Sequence, residues 1–394
     1  MARYTYLAAD LRSNAILAEL PAYEVDFTTR LDDIGSLRGK VLLTDPAANK
    51  VANYLQGATQ PGRTALYVDR DGVLVWGGII WTRRYKASTG ELELQCLDFL
   101  SYLDHRYLTA SVAQVSGAAA YDQFAIAQAL VNWAQGVGGG NIGIQVGSNL
   151  SGVTRTITYN PYEFKLIGDA LRELSALDKG FDLAIDVAYV LGVPTKTLTL
   201  SYPRRGAVQG ASGWVFEHEV SGWSVVNPAT GLAAPDITGN VSDYLWPEDA
   251  SAQGITVYDN GAGSGTAQLQ SAYSTTSLID AGYPLLERTF SYKDAKTQAE
   301  LDAHAVADGK ALANPITLPQ LEVRPDLDPV LGTYTVGDDA RVRILDFRFN
   351  SGVDARNNPI GPGLDSFYRI LEVNVKAGYD QPEKVTLTMG PPPL

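Results

Sequence analysis

Polar and apolar positions along this chain alternate mostly with a period of two, the pattern of half-buried strands. The clearest stretch is GRTALYVDRDGVLVWGGIIWTRRYKASTGELELQCLD, Gly62–Asp98. Thr64–Arg70 and Val73–Lys86 read as strands joined by Asp71-Gly72, residues that tolerate the positive φ of a tight hairpin. Ser88-Thr89-Gly90 turns the chain into Glu91–Cys96, where Leu92, Leu94 and Cys96 alternate with Glu91, Glu93 and Gln95. Gly77-Gly78 falls where a bulge or barrel corner would relieve the long middle strand. Before this meander, Tyr4–Leu7, Ile16–Leu20, Tyr23/Val25/Phe27 and Leu37/Gly39/Val41/Leu43 add further strands. Asp45-Pro46 predicts a helix start, with Val51, Tyr54 and Leu55 on one face and an end near Gly57.

From about residue 104 the period changes. Ser111–Gln135 carries Phe124, Ala127, Leu130, Val131 and Ala134 at helical spacing, and the glycine run 136–140 stops it. Ile142, Ile144 and Val146 form a brief strand. Asn160-Pro161-Tyr162-Glu163 reads as a capped helix start leading into the stripe Leu166, Ile167, Ala170, Leu171, Leu174 and Leu177, with Gly180 as its stop. Phe181–Tyr189 and Leu198–Tyr202 pair across Gly192. The third region returns to strands at Trp214–Val220, Gly254–Tyr258 and Ala267–Tyr273. A capping box at Thr297–Glu300 opens one helix that ends at Asn314-Pro315. Thr333–Val336 and Ala340–Ile344 flank a Gly337-Asp338 turn. Phe367–Val375 and Lys384–Met389 follow, before a Pro-rich tail, 391–394.

The predicted fold class is therefore α+β, a β-rich multidomain chain. Its parts are a first barrel-like β domain (1–103), an α+β domain (104–206), a second barrel-like domain (207–285 joined to 327–390), and a small insertion with one helix (286–326).

Composition sharpens this in one respect. With 31 basic and 44 acidic side chains the net charge is −13, which disfavours a protein that grips phosphate backbones. The one cysteine, Cys96, excludes an intrachain disulfide and sits on the apolar face of its strand, as an inert thiol would. No apolar run reaches the ~18 residues of a membrane span, and MARYTYLAADLRSNA lacks a secretion-signal layout. A soluble chain made in a reducing cytoplasm is expected.

Chemistry-bearing motifs are sparse. Gly138-x-Gly140-x-x-Gly143 spells a dinucleotide fingerprint, but a helix precedes it and a strand follows, the reverse of what phosphate binding requires. Asp69-x-Asp71-Gly72 resembles the start of a calcium loop, yet Val73 holds the next ligand place. In Glu217-His218-Glu219 the imidazole points opposite to both carboxylates on a strand. Asp182 and Asp186 share a strand face about 13 Å apart at ~3.3 Å per residue, too far for a glycosidase pair. His105, His218 and His304 fall in no catalytic motif, and Trp76 and Trp81 face opposite sides of their strand. No catalytic, cofactor-binding or metal residue is assigned, and no cofactor is expected.

The stretches YTYLAADLRSNAILAELPAYEVDFTTRLDDIGSLRGKVLLTDP, GRTALYVDRDGVLVWGGIIWTRRY, PLLERTFSYKDAKTQAELDAHAVADGKAL and GTYTVGDDARVRI resemble minor tail proteins of long-tailed phages infecting actinobacteria, the baseplate hub or tail-associated family. The resemblance spans nearly the whole chain. It implies a homotrimeric, non-enzymatic hub of two related barrels, an α+β domain and a helix-bearing insertion, placed at the virion tail tip. The implied partners are the distal tail protein, the tail tube, the tape measure protein and further tail-tip or fibre proteins. DNA would pass through without specific binding, and no stable membrane insertion is implied. The acidic balance suits a conduit that repels phosphates. Two alternatives stand beside this reading: a tail-tip protein that binds a receptor or cell-wall glycan, and a cell-wall hydrolase.

Overall fold

The computed structural model describes residues 2–43, 52–116, 119–177, 179–218, 239–293, 295, 297–355, 357, 359–361, 363–378 and 381–392. The described chain is mostly sheet with small helical parts, and it divides into two units, residues 1–244 with 321–394, and Leu245–Gln320.

In the larger unit the meander forms as its turn chemistry dictates. Strands β1 (Tyr4–Asp10), β2 (Ile16–Leu20), β3 (Ala22–Arg30), β4 (Ser36–Leu42), β5 (Thr64–Arg70), β6 (Val73–Lys86) and β7 (Glu91–Asp98) precede the helical region. Asp71 and Gly72 both take positive φ, 54° and 87°, which matches the twist of β5 and β6. Gly77-Gly78 does not make a bulge; the register shifts lie at Val68/Asp69 and Ile80/Thr82. The two glycines instead permit close approach. A Cβ on Gly78 would stand 2.3 Å from the Leu97 carbonyl oxygen and 2.4 Å from the Trp76 ring. Helix α1 (Ala52–Ala58) buries Leu55; its expected Asp45-Pro46 start lies outside the described residues.

Helix α2 begins at Gln123, later than the periodicity suggests, and runs to Gly136. Asp122 fixes the start by accepting from the Phe124 amide at 2.8 Å, while Val112–Val115 makes only a tight single turn. The Asn160–Glu163 capping box likewise closes one turn, because Phe164 adopts φ 48° and breaks it. Helix α3 (Ile167–Ser175) then starts afresh without a side-chain cap. It ends before Gly180, where a Cβ would meet the Ser175 carbonyl at 1.8 Å; the left-handed residue is Lys179, at φ 54°. Strands β8 (Ile144–Val146), β9 (Asp182–Val190) and β10 (Val193–Ser201) form a separate sheet in the order β9-β10-β8.

One apolar core joins these parts. Ala9, Tyr67, Ile79 and Phe99 of the first region pack with Phe124, Leu130, Leu171 and Leu183 of the second. Inside it Lys196 is 1% exposed. Its ammonium donates to the carbonyls of Ile142 (2.5 Å) and Leu11 (3.2 Å) and lies 4.9 Å from the Phe99 ring. Burial brings its pKa down to about 8.

The remaining strands are β11 (Val215–Glu217), β12 (Val241–Leu245), β16 (Gln320–Val323), β17 (Asp339–Ile344), β18 (Leu364–Gly378) and β19 (Gln381–Gly390). The expected strand Thr333–Val336 is a turn, because the Asp338 carboxylate takes the Thr335 amide at 2.9 Å. Both halves of the chain share one sheet. Its order is β12-β16-β19-β18-β3-β4-β7-β6-β5-β1-β2, with β17 beside β18 and β11 beside β17. The link is β18. Its first half pairs with β17 and its second half with β3, from Glu372↔Arg30 to Ala377↔Val25. Among the described residues this path stays open, so the strands form no closed barrel of hydrogen bonds. On β19, Val385, Leu387 and Met389 are fully buried, as their alternation predicts.

The smaller unit, Leu245–Gln320, is larger than the one-helix insertion expected at 286–326. Strand β13 (Thr256–Asn260) lies between antiparallel β14 (Gln270–Ser274) and parallel β15 (Glu287–Ser291), and helix α4 (Gln298–Leu312) packs on β13 and β14. The physical reason is burial. Leu301 and Ala305 of α4 need the sheet that carries Val257, so strands assigned to the second barrel belong here.

Two variants test these assignments. Gly78→Ala should lower the urea midpoint by the equivalent of about 1–3 kcal/mol, the usual cost of overpacking. Gly57→Ala, on an open helix face, should leave stability unchanged or raise it by up to ~1 kcal/mol. For Lys196 the unfolded pKa (~10.4) exceeds the folded one, so its contribution to stability rises between about pH 8 and 10.4. Lys196→Met should remove that rise from the pH profile of thermal unfolding.

Candidate functional site: a buried charge network

Arg204-Arg205-Gly206 leaves the end of β10, and Gly337-Asp338-Asp339 leads into β17. The two segments cross almost in contact. A Cβ on Gly206 would sit 2.3 Å from the Gly337 carbonyl carbon, and one on Gly337 would sit 2.9 Å from the Arg205 oxygen. Both glycines have positive φ, 85° and 98°. Only glycine fits either place.

The crossing brings opposite charges together. Arg204 holds the fully buried Asp339 through two nitrogens, the nearer pair at 2.5 Å, and also donates to the Gly337 carbonyl at 2.8 Å. Arg205 grips Asp186 with two bonds of 2.8 and 2.9 Å. Its amide donates to Asp182, which also receives the Arg369 guanidinium of β18. Arg369 bonds the Gly337 and Arg205 carbonyls, each at 3.1 Å. Asp338 accepts from the Ala207 amide at 2.7 Å.

Asp32, between β3 and β4, closes the group by accepting from the Leu183 amide at 2.7 Å. Burial, and then the neighbouring charge of Asp182, push its pKa up to about 7. Asp98, at the end of β7, is likewise raised to about 7 by burial, although it accepts the Gly35 and Leu100 amides. A cavity of about 280 Å³ lies beside the network, lined among others by Trp76, Val187, Asp186, Arg205 and Tyr334.

A second clamp lies at the other end of the sheet. Arg70 of β5 binds Glu383 of β19 with bonds of 2.8 and 2.9 Å, and the Tyr4 hydroxyl donates to the same carboxylate. Burial first, and Glu383 second, raise the Tyr4 pKa.

This arrangement is suited to holding strands together. Asp186 and Asp339 are each held by two guanidinium nitrogens, Asp182 takes an amide and a guanidinium, and no histidine or cysteine joins them. Asp182 and Asp186, weighed in the sequence as an acid/base pair, meet instead through Arg205.

The other sequence-weighed residues stand apart. Asp69 accepts from the Gly72 amide and the Tyr189 hydroxyl, and Asp71 from the Arg3 amide, so this is a hairpin. The 138–143 glycines lie between the end of α2 and β8, away from any helix N-terminus. Glu217 pairs with Arg343 and His218 stacks edge-on with Tyr244; Glu219 lies outside the described residues. Trp76 is buried, while Trp81 contacts His105 at 4.3 Å. Cys96 is buried and its thiol pKa is raised by that burial. Among the described residues no three His, Cys, Asp or Glu side chains form a metal-binding group, and no helix is long and apolar enough to cross a membrane.

No protein-family model matches the sequence, and no curated protein matches it. Solved structures do. The tail protein from Neisseria meningitidis MC58 is 14% identical with a TM-score of 0.57, over 98% of this chain and 96% of that one. The chain has the fold of a phage tail protein. The 43 kDa tail protein of prophage MuSo2 from Shewanella oneidensis gives 9% identity and a TM-score of 0.56, covering 98% of both chains. In the lidded Francisella PdpA–VgrG complex, all of this chain matches 54% of a longer one, with 9% identity and a TM-score of 0.51. At these identities the likeness is one of fold.

The raised carboxyl supplies a test. Because the folded pKa of Asp32 exceeds that of an unfolded carboxyl (~3.9), its contribution is fully present below about pH 4 and is lost as pH rises through 7. Asp32→Asn should flatten thermal stability between pH 4 and 7 relative to the parent. Asp182→Ala, which strands the Arg369 charge, should cost about 3–5 kcal/mol in urea unfolding.

Proposed function

We propose that this chain is the hub subunit at the distal end of a phage tail. The observation that carries the reading is the match over nearly the full length, in both directions, of two tail proteins, one of them from a prophage. The likeness to part of a chain in a VgrG complex supports the same reading.

The hub is a homotrimer that meets the sixfold tail tube by offering two similar halves per chain. The first half is 1–103. The second is built from the described strands of 207–244 and 321–390, with Leu245–Gln320 as the insertion. Three chains then present six halves, and head-to-tail contacts close the ring. The distal tail protein and tail tube lie on one side, the tape measure protein reaches the lumen, and further tail-tip or fibre proteins attach on the cell-facing side. DNA leaves through the centre, where the acidic balance of the chain opposes retention of phosphates.

The role is structural. The guanidinium-bound carboxylates of the network join strands from distant parts of the chain, as a structural part requires.

Native mass spectrometry of the purified chain, with electron microscopy of virions, tests this reading. The expected result is a threefold assembly at the distal tail tip. A dimer, or a position in the tube or at the head-proximal end, overturns it. The purified protein should also fail to clear host cell-wall suspensions. Clearing that is lost on changing one carboxylate would replace the structural role with an enzymatic one.

A further inference from the structure

In the smaller unit one carboxylate is placed against the usual rule for buried charge. Asp259 on β13, the central strand, is 1% exposed, and neither of its oxygens has a hydrogen-bond partner. A buried ionised carboxylate without donors is strongly disfavoured, whereas the protonated acid is far less costly there.

The surrounding groups do not relieve it. Across the sheet its register neighbours are Ser271 on β14 and Phe290 on β15. Ser271 gives its hydroxyl to Asp302 of α4 at 2.6 Å. Arg288, the nearest cation on β15, spends its guanidinium on the Ser251 and Ala252 carbonyls. From α4, Asp308 adds like charge and His304 a favourable one. Both belong to a small cluster with Tyr292, whose hydroxyl donates to Asp308 at 2.5 Å and whose ring stacks on His304 at 4.0 Å. Burial, then repulsion from Asp308, raise the Asp259 pKa.

Among the described residues of helix α4, Leu301 and Ala305 are the fully buried apolar side chains, and Gly309 lets the helix approach the Tyr273 ring.

We propose that α4 is latched onto its sheet by the neutral form of Asp259, so that the inserted unit loosens as pH rises. Ionisation places an unpaired charge under the helix, facing Asp308. The helix then lifts and admits water to the carboxylate, exposing Val257, Leu301 and Ala305. The sign is that of any carboxyl with a raised folded pKa. The stabilisation is present in acid and lost as pH rises through that pKa.

Hydrogen–deuterium exchange of the full chain between pH 5 and 8, corrected for intrinsic rates, tests the latch. Protection of residues 298–312 should fall by about tenfold or more with rising pH, the change that one unit of differential protonation produces. The same measurement on Asp259→Asn serves as the reference, because β3 and β18 carry a pH dependence of their own through Asp32. Asp259→Asn should keep α4 protected across the range. Asp308→Asn, which can still accept from Tyr292, should extend protection to higher pH and serves if Asp259→Asn does not fold. His304→Gln should retain the loss. Constant protection in the parent, an unchanged loss in the foldable aspartate variants, or a loss abolished by His304→Gln overturns the proposal.

Discussion

The fold depends on the crossing of Arg204-Arg205-Gly206 with Gly337-Asp338-Asp339. Two backbones pass so closely that neither Gly206 nor Gly337 has room for a Cβ. Around them Asp182, Asp186 and Asp339 are bound by Arg369, Arg205 and Arg204. Asp186 is partly exposed, but Asp182 and Asp339 are buried with their arginines; buried pairs contribute little net stability as a set, and removing one partner leaves another stranded. We take their role to be specification of which segments meet. They bring together the β3–β4 loop, the start of β9, the exit from β10, the entry to β17 and the middle of β18.

That crossing explains how distant parts of the chain become one body. Strand β18 pairs with β17 near its start and with β3 near its end, so the first and last regions share a sheet. The network sits where β18 changes partners, at Arg369. The Arg70–Glu383–Tyr4 clamp joins β1 and β5 to β19 away from that point. Bidentate charge clamps at two places fix the register of the joined strands more closely than an apolar contact that can slide.

Local pattern was enough to place most strands. Val73–Lys86 and the β9–β10 hairpin follow from alternation and from turn residues that accept positive φ. It misplaced both helix starts of the second region, since Asp122 and Phe164 act through contacts and dihedrals that periodicity does not register. The charge network was partly visible. Arg-Arg-Gly and Gly-Asp-Asp are complementary short strings, but 131 or more residues separate their bonded partners. Asp32 and Arg369 carried no signal at all.

The sequence by itself determined a β-rich chain, because period-two burial and turn chemistry are local properties. Tertiary structure decided that the two β regions share one open sheet, that the insertion includes three strands, and that Asp182 and Asp186 serve as anchors for arginines. Each of these depends on which distant segments meet. That choice is made by burial and by pairing of buried charge across the whole chain, and no window of neighbouring residues contains it.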